Sequence, residues 1–486
     1  MEALMAVENK ILKIKKRTGA LTPFDRSRVQ RAVLGAAKES GGFKRYIIEE
    51  SMYRRYRDEK DEFIAEAICD DIIMCLNNNP SFLSPNFPPT VEDIQNTVVH
   101  VLRSRGFIDI ADRFEIYRFS RIYLRAGVKN GGISEEELSR NDLGYSVISK
   151  AIEWNKKNNC STISDLNKIV SNEKKFEKLI KNSMSFYESS LDQAAQAFLT
   201  RHAKEKIRLF FVSGPSSSGK TTTTEKIKER LVKKGINIAT ISVDDFFYSL
   251  GEHPMDWFKD HHYETPFALD LEAINDTITR LLKGEPVVMP RYNFKTGMRE
   301  DGDTMKIDQD QVVFLDSLHG LYRHMTIGVP DNIKFKLYIE AFNSIYEGDG
   351  SSNVISGHTD IRMLRRMLRD YKHRNHDPIK TAGHWHYVRE GDLRYILPYM
   401  GTADFIVNGG LAFDLPVLKA YSKDLFPKIT DFSSERLDSY LRVKRIRKIF
   451  ETIADVPVDT CEKLIPADCH IREFIGGSYY EIPHNE

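Results

Sequence analysis

The sequence is sparing with the devices that tie a secreted or membrane protein together. Its five cysteines, Cys69, Cys75, Cys160, Cys461 and Cys469, are scattered, and no two have C-x-x-C spacing. Neither a disulfide framework nor a zinc site is therefore indicated, and a reducing cytosol is the expected surrounding. No apolar run approaches the ~18 residues of a membrane-crossing helix, and the first residues, with Glu2 and Glu8, lack a signal-peptide core. A cytoplasmic protein with no membrane partner is therefore expected. Net charge is nearly missing too, since 71 Lys+Arg against 70 Asp+Glu leave +1. Without a global field, nucleic acid is not an expected partner, and any polyanion site must be local. Even the basic stretch from Leu437 to Phe450, with Arg442, Lys444, Arg445, Arg447 and Lys448, reads as the solvated face of an amphipathic helix.

What the chain does have is length, 486 residues with 41% hydrophobic content, enough for two or three domains. Its organising stretch lies between Ile207 and Ile227. Ile207 to Val212 reads as a buried strand, and Thr221 to Lys234 carries apolar residues at helical spacing. Between them runs Gly214-Pro215-Ser216-Ser217-Ser218-Gly219-Lys220-Thr221, the pattern G-x-x-x-x-G-K-[ST]. Glycines let the backbone turn its N–H groups inward, and the helix N-terminus adds positive potential. Lys220 reaches the β/γ-phosphates, and the Thr221 hydroxyl can ligate Mg²⁺. The expected ATP contacts are Gly214, Ser216, Ser217, Ser218, Gly219, Lys220, Thr221 and Thr222.

From here strands and helices alternate, as in a parallel sheet covered on both faces. Ile236 to Val243 reads as a strand beside the phosphate-loop strand, ending at Asp244-Asp245. A carboxylate there can accept the proton of a hydroxyl that attacks a γ-phosphate. If the strand continues, the two aspartates point oppositely, and Asp244 is taken as the one facing the site. Gln311 to Leu315 is a buried strand ending in Asp316, placed to hold Mg²⁺. Tyr263-Glu264 and Pro290 to Phe294 supply rings and a carboxylate suited to a nucleoside pocket. Along Asp360 to Asp370, Arg362, Arg365, Arg366 and Arg369 share one helical face, with Arg374 and His376 just beyond. That face reads as a lid that closes over a polyphosphate.

Further upstream, Ile11 to Asp25 reads as two short extended pieces around the Thr18-Gly19 turn. Helices follow at Arg26 to Lys38, Phe63 to Leu76, Thr90 to Arg103 and Ala111 to Arg125. Gly131 to Ala203 is polar and largely helical, with Ile163 to Ile180 and Leu191 to Ala203 periodic enough to pack, and no chemistry is assigned to it.

Lys16-Arg17-Thr18-Gly19, Pro23-Phe24-Asp25, Val91 to Gln95 and Tyr117-Arg118 with Arg121 resemble the ATP cone, a small nucleotide-sensing domain. The resemblance implies that Lys16 and Arg17 contact an effector, ATP or dATP. Thr18 stands where that family usually has Asp. The later motifs, in order Gly214 to Thr221, Asp244 to Tyr248, Tyr263 to Pro266, Pro290 to Arg299, Asp316 to Leu321 and Arg365 to Arg374, resemble the uridine kinase and phosphoribulokinase family. The chain is similar above all to members that end in Arg-Glu-Phe-Ile-Gly-Gly-Ser, here Arg472 to Ser478.

That resemblance implies a catalytic Asp244 and phosphate-stabilising Lys220, Arg369 and Arg374. It implies Mg²⁺ at Thr221 and Asp316, and an acceptor pocket of Phe247, Tyr263, Glu264, Tyr292, Arg366 and His376. Glu264, Phe247, Asn293, Gly297 and His376 depart from the family pattern, so the phosphate machinery is kept while the acceptor pocket differs. The expected fold is α/β, a P-loop parallel sheet with flanking helices, preceded by a small, mainly helical ATP-cone-like domain with a short N-terminal hairpin. The expected domains are 1–130 (ATP-cone-like), 131–200 (helical connector), 201–425 (kinase-like) and 426–486 (C-terminal helical extension). The expected activity is ATP- and Mg²⁺-dependent phosphorylation of a small-molecule hydroxyl, foremost the 5′-OH of a ribonucleoside. A slow, nucleotide-gated ATPase switch and a sugar-phosphate kinase remain as alternatives, and a homo-oligomer is left open.

Overall fold

The computed structural model describes residues 7–16, 20–47, 51–83, 88–114, 141–253, 261–343, 345–346, 354–356, 358–374, 376–425 and 437–481. Arg17, the Thr18-Gly19 turn, Tyr117, Arg118, Arg121 and Gly131-Gly132 lie outside them. The chain divides into two compact units, Met1–Gly132 with Lys428–Lys444, and Ile133–Pro427 with Arg445–Glu486.

In the first unit, β1 (Lys13–Lys15) pairs antiparallel with β2 (Leu21–Pro23). Helix α1 (Arg26–Glu39) starts where Asp25 accepts the Ser27 N–H. Helix α2 (Asp61–Asn77) buries Ile64, Ile68, Ile72 and Leu76, which recur at helical spacing. Helix α3 (Val91–Ser104) opens on a reciprocal capping box, Thr90 Oγ1 with the Asp93 N–H and the Asp93 carboxylate with the Thr90 N–H. Residues 108–114 are helical as well. Phe43 and Tyr53 both meet Phe107 edge-on, their ring centroids 5.2 Å away, among the helices of this unit.

The second unit begins with three helices, α4 (Asn141–Lys157), α5 (Ile163–Val170) and α6 (Glu173–Glu205). The periodic stretch Ile163 to Ile180 is broken between α5 and α6, because the Asn172 side chain accepts the Lys175 N–H and starts a new helix. Helix α6 lays Tyr187, Leu191, Ala194 and Phe198 into one core with Phe210, Phe314 and Phe335 of the sheet. This part of the chain thus helps to cover one face of the sheet.

The sheet holds five strands, all parallel: β3 (Leu209–Ser213), β4 (Ile238–Ser242), β7 (Val312–Ser317), β8 (Lys334–Glu340) and β9 (Phe405–Asn408). Between β4 and β7 come helix α8 (Leu271–Leu282) and an antiparallel hairpin, β5 (Val287–Asn293) with β6 (Met298–Met305), which forms a separate two-stranded sheet. The order across the sheet is β9-β8-β3-β7-β4. Contrary to the expectation from sequence, β4 is not the neighbour of β3. The chain crosses through α7 (Lys220–Val232) to the sheet edge and leaves a place that the later strand β7, apolar and buried along Val312 to Leu315, fills. The turn back toward β8 makes β3 the switch point, outside whose C-terminal end open α/β sheets bind ligands. No helix among the described residues is long and apolar enough to cross a membrane.

Candidate active site

The loop after β3 is built around positions where no side chain fits. A Cβ on Gly214 would come within 2.1 Å of the Ile339 carbonyl oxygen, and Gly219, the N-cap of α7, has φ +97°. Ser217 also takes a positive φ of 62°. The loop is held by helix α9 (His358–Arg374). Arg362 Nε donates to the Ser216 carbonyl at 2.9 Å, and Arg365 reaches the carbonyls of Ser217, Ser218 and Gly409. Fixing those carbonyls fixes the peptide planes and hence where the N–H groups point.

Both guanidiniums are 0% exposed. Arg362 is paired with Asp392 at 2.9 Å, and Arg365 with Asp414 at 2.7 Å. The expected lid face is therefore divided. Arg362 and Arg365 are structural clamps beneath the loop, because the helix packs that face inward, and only Arg366, Arg369 and Arg374 line the open cavity.

That cavity, of 1170 Å³, gathers most of the predicted site residues. Ser216, Ser217, Lys220 and Thr221 line it, together with Asp244, Asp316, Phe247, Tyr263, Glu264, Tyr292, Arg366, Arg369, Arg374 and His376. Gly214, Ser218, Gly219 and Thr222 do not line it and belong to the frame of the loop. Lys16 is exposed in the first unit, its N–H bonded to the Ala20 carbonyl.

Strand β4 stops at Ser242, and a tight turn from Val243 to Phe246 follows, so the two aspartates are separated by that turn and not by strand alternation. Asp244 lines the cavity, while Asp245 accepts the Tyr292 N–H at 3.2 Å and ties the β5–β6 hairpin to the turn. Around that tie the rings gather: Phe247 and Tyr292 at 5.5 Å, Tyr292 and Phe294 at 4.8 Å, and His253 against Phe247 at 5.6 Å.

Electrostatics divide the cavity in two. Lys220 is partly buried, and desolvation pulls its pKa down against the pull of Asp316 and Glu473. Burial, with Asp244 and Glu473 nearby, pushes Asp316 up to about 7 although Lys220 opposes it. This end is short of positive charge for its carboxylates. The Thr221 hydroxyl and Asp316 are hard oxygen donors, and a Mg²⁺ ion, which keeps waters and phosphates as its other ligands, suits them. The buried hydroxyls of Ser217 and Ser218 have no partner, as a loop awaiting an anion would leave them.

At the other end Arg366 bridges, donating to Glu264 at 2.6 Å and to the Ser216 hydroxyl at 3.0 Å. Burial acts to raise the Glu264 pKa, but the Arg366 charge wins and holds it at about 2. Burial and the same arginine bring His384, on α10 (Pro378–Gly391), down to about 4, so its imidazole is neutral at pH 7. Because the folded-state pKa of Glu264 lies below the ordinary 4.5, its contribution to stability is complete above about 4.5 and is lost as the pH falls toward 2. Glu264→Gln should remove part of the acid-side fall in melting temperature, read as the difference between wild-type and variant melts at about pH 6 and about pH 2.5.

Thr224, His384 and Glu473 also line the cavity; none belongs to a contiguous motif with an assigned use, so sequence reasoning does not reach them. Glu473 had a signal, its place in the terminal Arg472 to Ser478 stretch, but nothing in the sequence says where that stretch docks.

Comparison with known proteins places these elements. Residues 12–121 match the model of the ATP cone domain, and residues 209–347 match that of the Phosphoribulokinase / Uridine kinase family. The chain joins an ATP cone domain to a phosphoribulokinase/uridine kinase family domain. The family span ends before α9, so the arginine helix and the C-terminal segment lie beyond it. A uridine kinase of Deinococcus deserti is 25% identical over 202 residues, 41% of this chain and 87% of that protein. A uridine kinase of Borrelia duttonii is 27% identical over 229 residues, 46% of this chain and 99% of that protein. The D-glycerate 3-kinase structure from Cryptococcus neoformans var. grubii is 12% identical, covering 53% of this chain and 87% of that one with a TM-score of 0.26.

Proposed function

We propose that the second unit transfers the γ-phosphoryl group of ATP to a hydroxyl of a small molecule, foremost the 5′-OH of a ribonucleoside. The observation that carries this reading is a single cavity lined at once by the phosphate loop, by Asp244 and by the rings Phe247, Tyr263 and Tyr292. In this reading the loop N–H groups and Lys220 hold the donor phosphates, and Arg369 and Arg374 meet the charge on the group in transfer. Thr221 and Asp316 would hold Mg²⁺, which supplies charge neutralisation on the phosphates. Asp244 orients the acceptor hydroxyl and takes its proton, while the rings flank a flat base. The names of the relatives, uridine kinase in both bacterial cases, support a nucleoside acceptor.

A sugar phosphate fits less well. Two arginines of the helix, Arg362 and Arg365, are buried under the loop and bound to carboxylates, so they offer nothing to a second phosphate. The test is ADP release coupled to product formation across a panel of nucleosides and sugar phosphates. Turnover with a nucleoside supports the proposal; turnover only with a phosphorylated sugar, or ATP loss independent of any acceptor, overturns it.

For the first unit the proposed ligand is an effector nucleotide, ATP or dATP, at Lys16 and Arg17. Binding there must favour one state of the kinase unit over another to have any effect. Added dATP is expected to change the acceptor-dependent rate of the wild type and not that of Lys16→Ala; equal responses would remove Lys16 from the effector site.

A further inference from the structure

The contact made by Thr222 is unexpected for a phosphate loop. Helix α7 begins at Lys220, so the Thr222 N–H belongs to the first turn, whose N–H groups have no partner within the helix. Such groups, at the positive end of the helix, are the ones a bound phosphate uses. Here that place is taken by the chain itself. The carboxylate of Glu473 lies 3.4 Å from the Thr222 nitrogen and 3.2 Å from its hydroxyl oxygen, and Thr222 and Glu473 are 251 residues apart.

The carboxylate is delivered by a fixed element. Glu473 sits on the short helix α14 (Arg472–Ile475), which follows α11 (Asp414–Ser422), α12 (Leu437–Thr452) and α13 (Val458–Leu464). Arg472 fastens α14 through the carbonyls of Glu462 and Ile465, and Phe474 is buried against the Arg365 guanidinium, 5.1 Å from it. Just before it, His470 Nε2 donates to the Gly409 carbonyl at 2.9 Å, and its ring lies over Gly219, where an added Cβ would be 3.0 Å away. The C-terminal segment thus closes over the start of α7. Glu473 is 4% exposed, yet it lines the donor end of the cavity beside Lys220 and Asp316.

A carboxylate and a phosphate oxygen cannot share one N–H in a buried site, and each repels the other strongly where the dielectric is low. We infer that Glu473 is a built-in competitor of the phosphate donor, holding the Thr222 N–H and hydroxyl until a donor phosphate displaces its carboxylate. Because Glu473 lines the cavity, the inferred release of Thr222 calls for a turn of its side chain and no departure of α14. The competition weakens donor binding by the free energy of that contact plus the repulsion left once the phosphate has entered. The inference rests on the reading of this cavity as a phosphate-donor site.

Its test is a binding measurement that needs no acceptor. Titration calorimetry of the full chain with ATP and Mg²⁺ should give a dissociation constant roughly tenfold or more lower for Glu473→Gln than for the wild type. Glu473→Asp, which keeps the charge, should stay near the wild type, and Glu473→Ala should shift in the same direction as Gln. Melting curves without nucleotide establish that each variant is folded. Equal or weaker ATP binding by both neutral variants, or no binding by any form, overturns the inference, since a residue that only braces the helix would lose affinity when removed. If the neutral variants bind ATP more tightly and still phosphorylate nothing in the acceptor panel, the kinase reading fails and the competition stands.

Discussion

Replacing Asp244 by Asn is expected to lower acceptor phosphorylation by about 10²–10⁴-fold, the usual worth of a positioned general base. The substitution keeps the shape of the side chain and removes its negative charge together with its ability to take a proton. Asp244 lines the cavity in the turn after β4, close enough for its charge to act on both Lys220 and Arg374. The measurement is ADP release at saturating ATP, with and without the best nucleoside, alongside a melt showing that the variant is folded. A slow hydrolysis that needs no acceptor does not depend on this proton transfer and would persist in the variant. Full acceptor-dependent turnover by Asp244→Asn would remove Asp244 from the chemistry.

The second large effect concerns stability. Arg365→Ala is expected to cost about 3–5 kcal/mol, because it leaves the Asp414 carboxylate buried with its charge unanswered. Asp414 is 0% exposed, and burial already raises its pKa although the Arg365 charge and hydrogen bonds oppose the rise. The same substitution removes the hold on the carbonyls of Ser217 and Ser218, so whatever folded protein remains should bind ATP weakly. Urea unfolding reads the first effect and calorimetry the second. Arg280→Ala makes the control, since it breaks exposed pairs with Asp276 and Glu285 and an exposed hydrogen bond to the Pro286 carbonyl, and should change stability by about 0–1 kcal/mol. Equal midpoints for the two variants would show that the clamp beneath the loop contributes nothing.

The two substitutions differ in how far they could be foreseen. Asp244 was legible because it closes a strand pattern, and a carboxylate at a strand end has a known use. Its separation from Asp245 was foreseen for the wrong reason, through strand alternation, whereas a tight turn after Ser242 separates them. The arginines were legible as one face of a helix, since residues at i, i+3, i+4 and i+7 must share a side. Periodicity tells which side chains lie together but not what that face meets. Whether a guanidinium ends in solvent, on a substrate or on a buried carboxylate depends on partners far along the chain, here Asp392 and Asp414.

Elements with local causes can be read from the residues alone: the N-terminal hairpin, the capped helices α1 and α3, and the strand, loop and helix from Leu209 to Val232. In each, the residues that make the hydrogen bonds or the special backbone angles are neighbours in the chain. The placing of β7 between β3 and β4, the division of the arginine face, and the arrival of Glu473 at Thr222 emerge only from the packed fold. These depend on burial and on charge pairing between segments up to 251 residues apart, which no local pattern encodes.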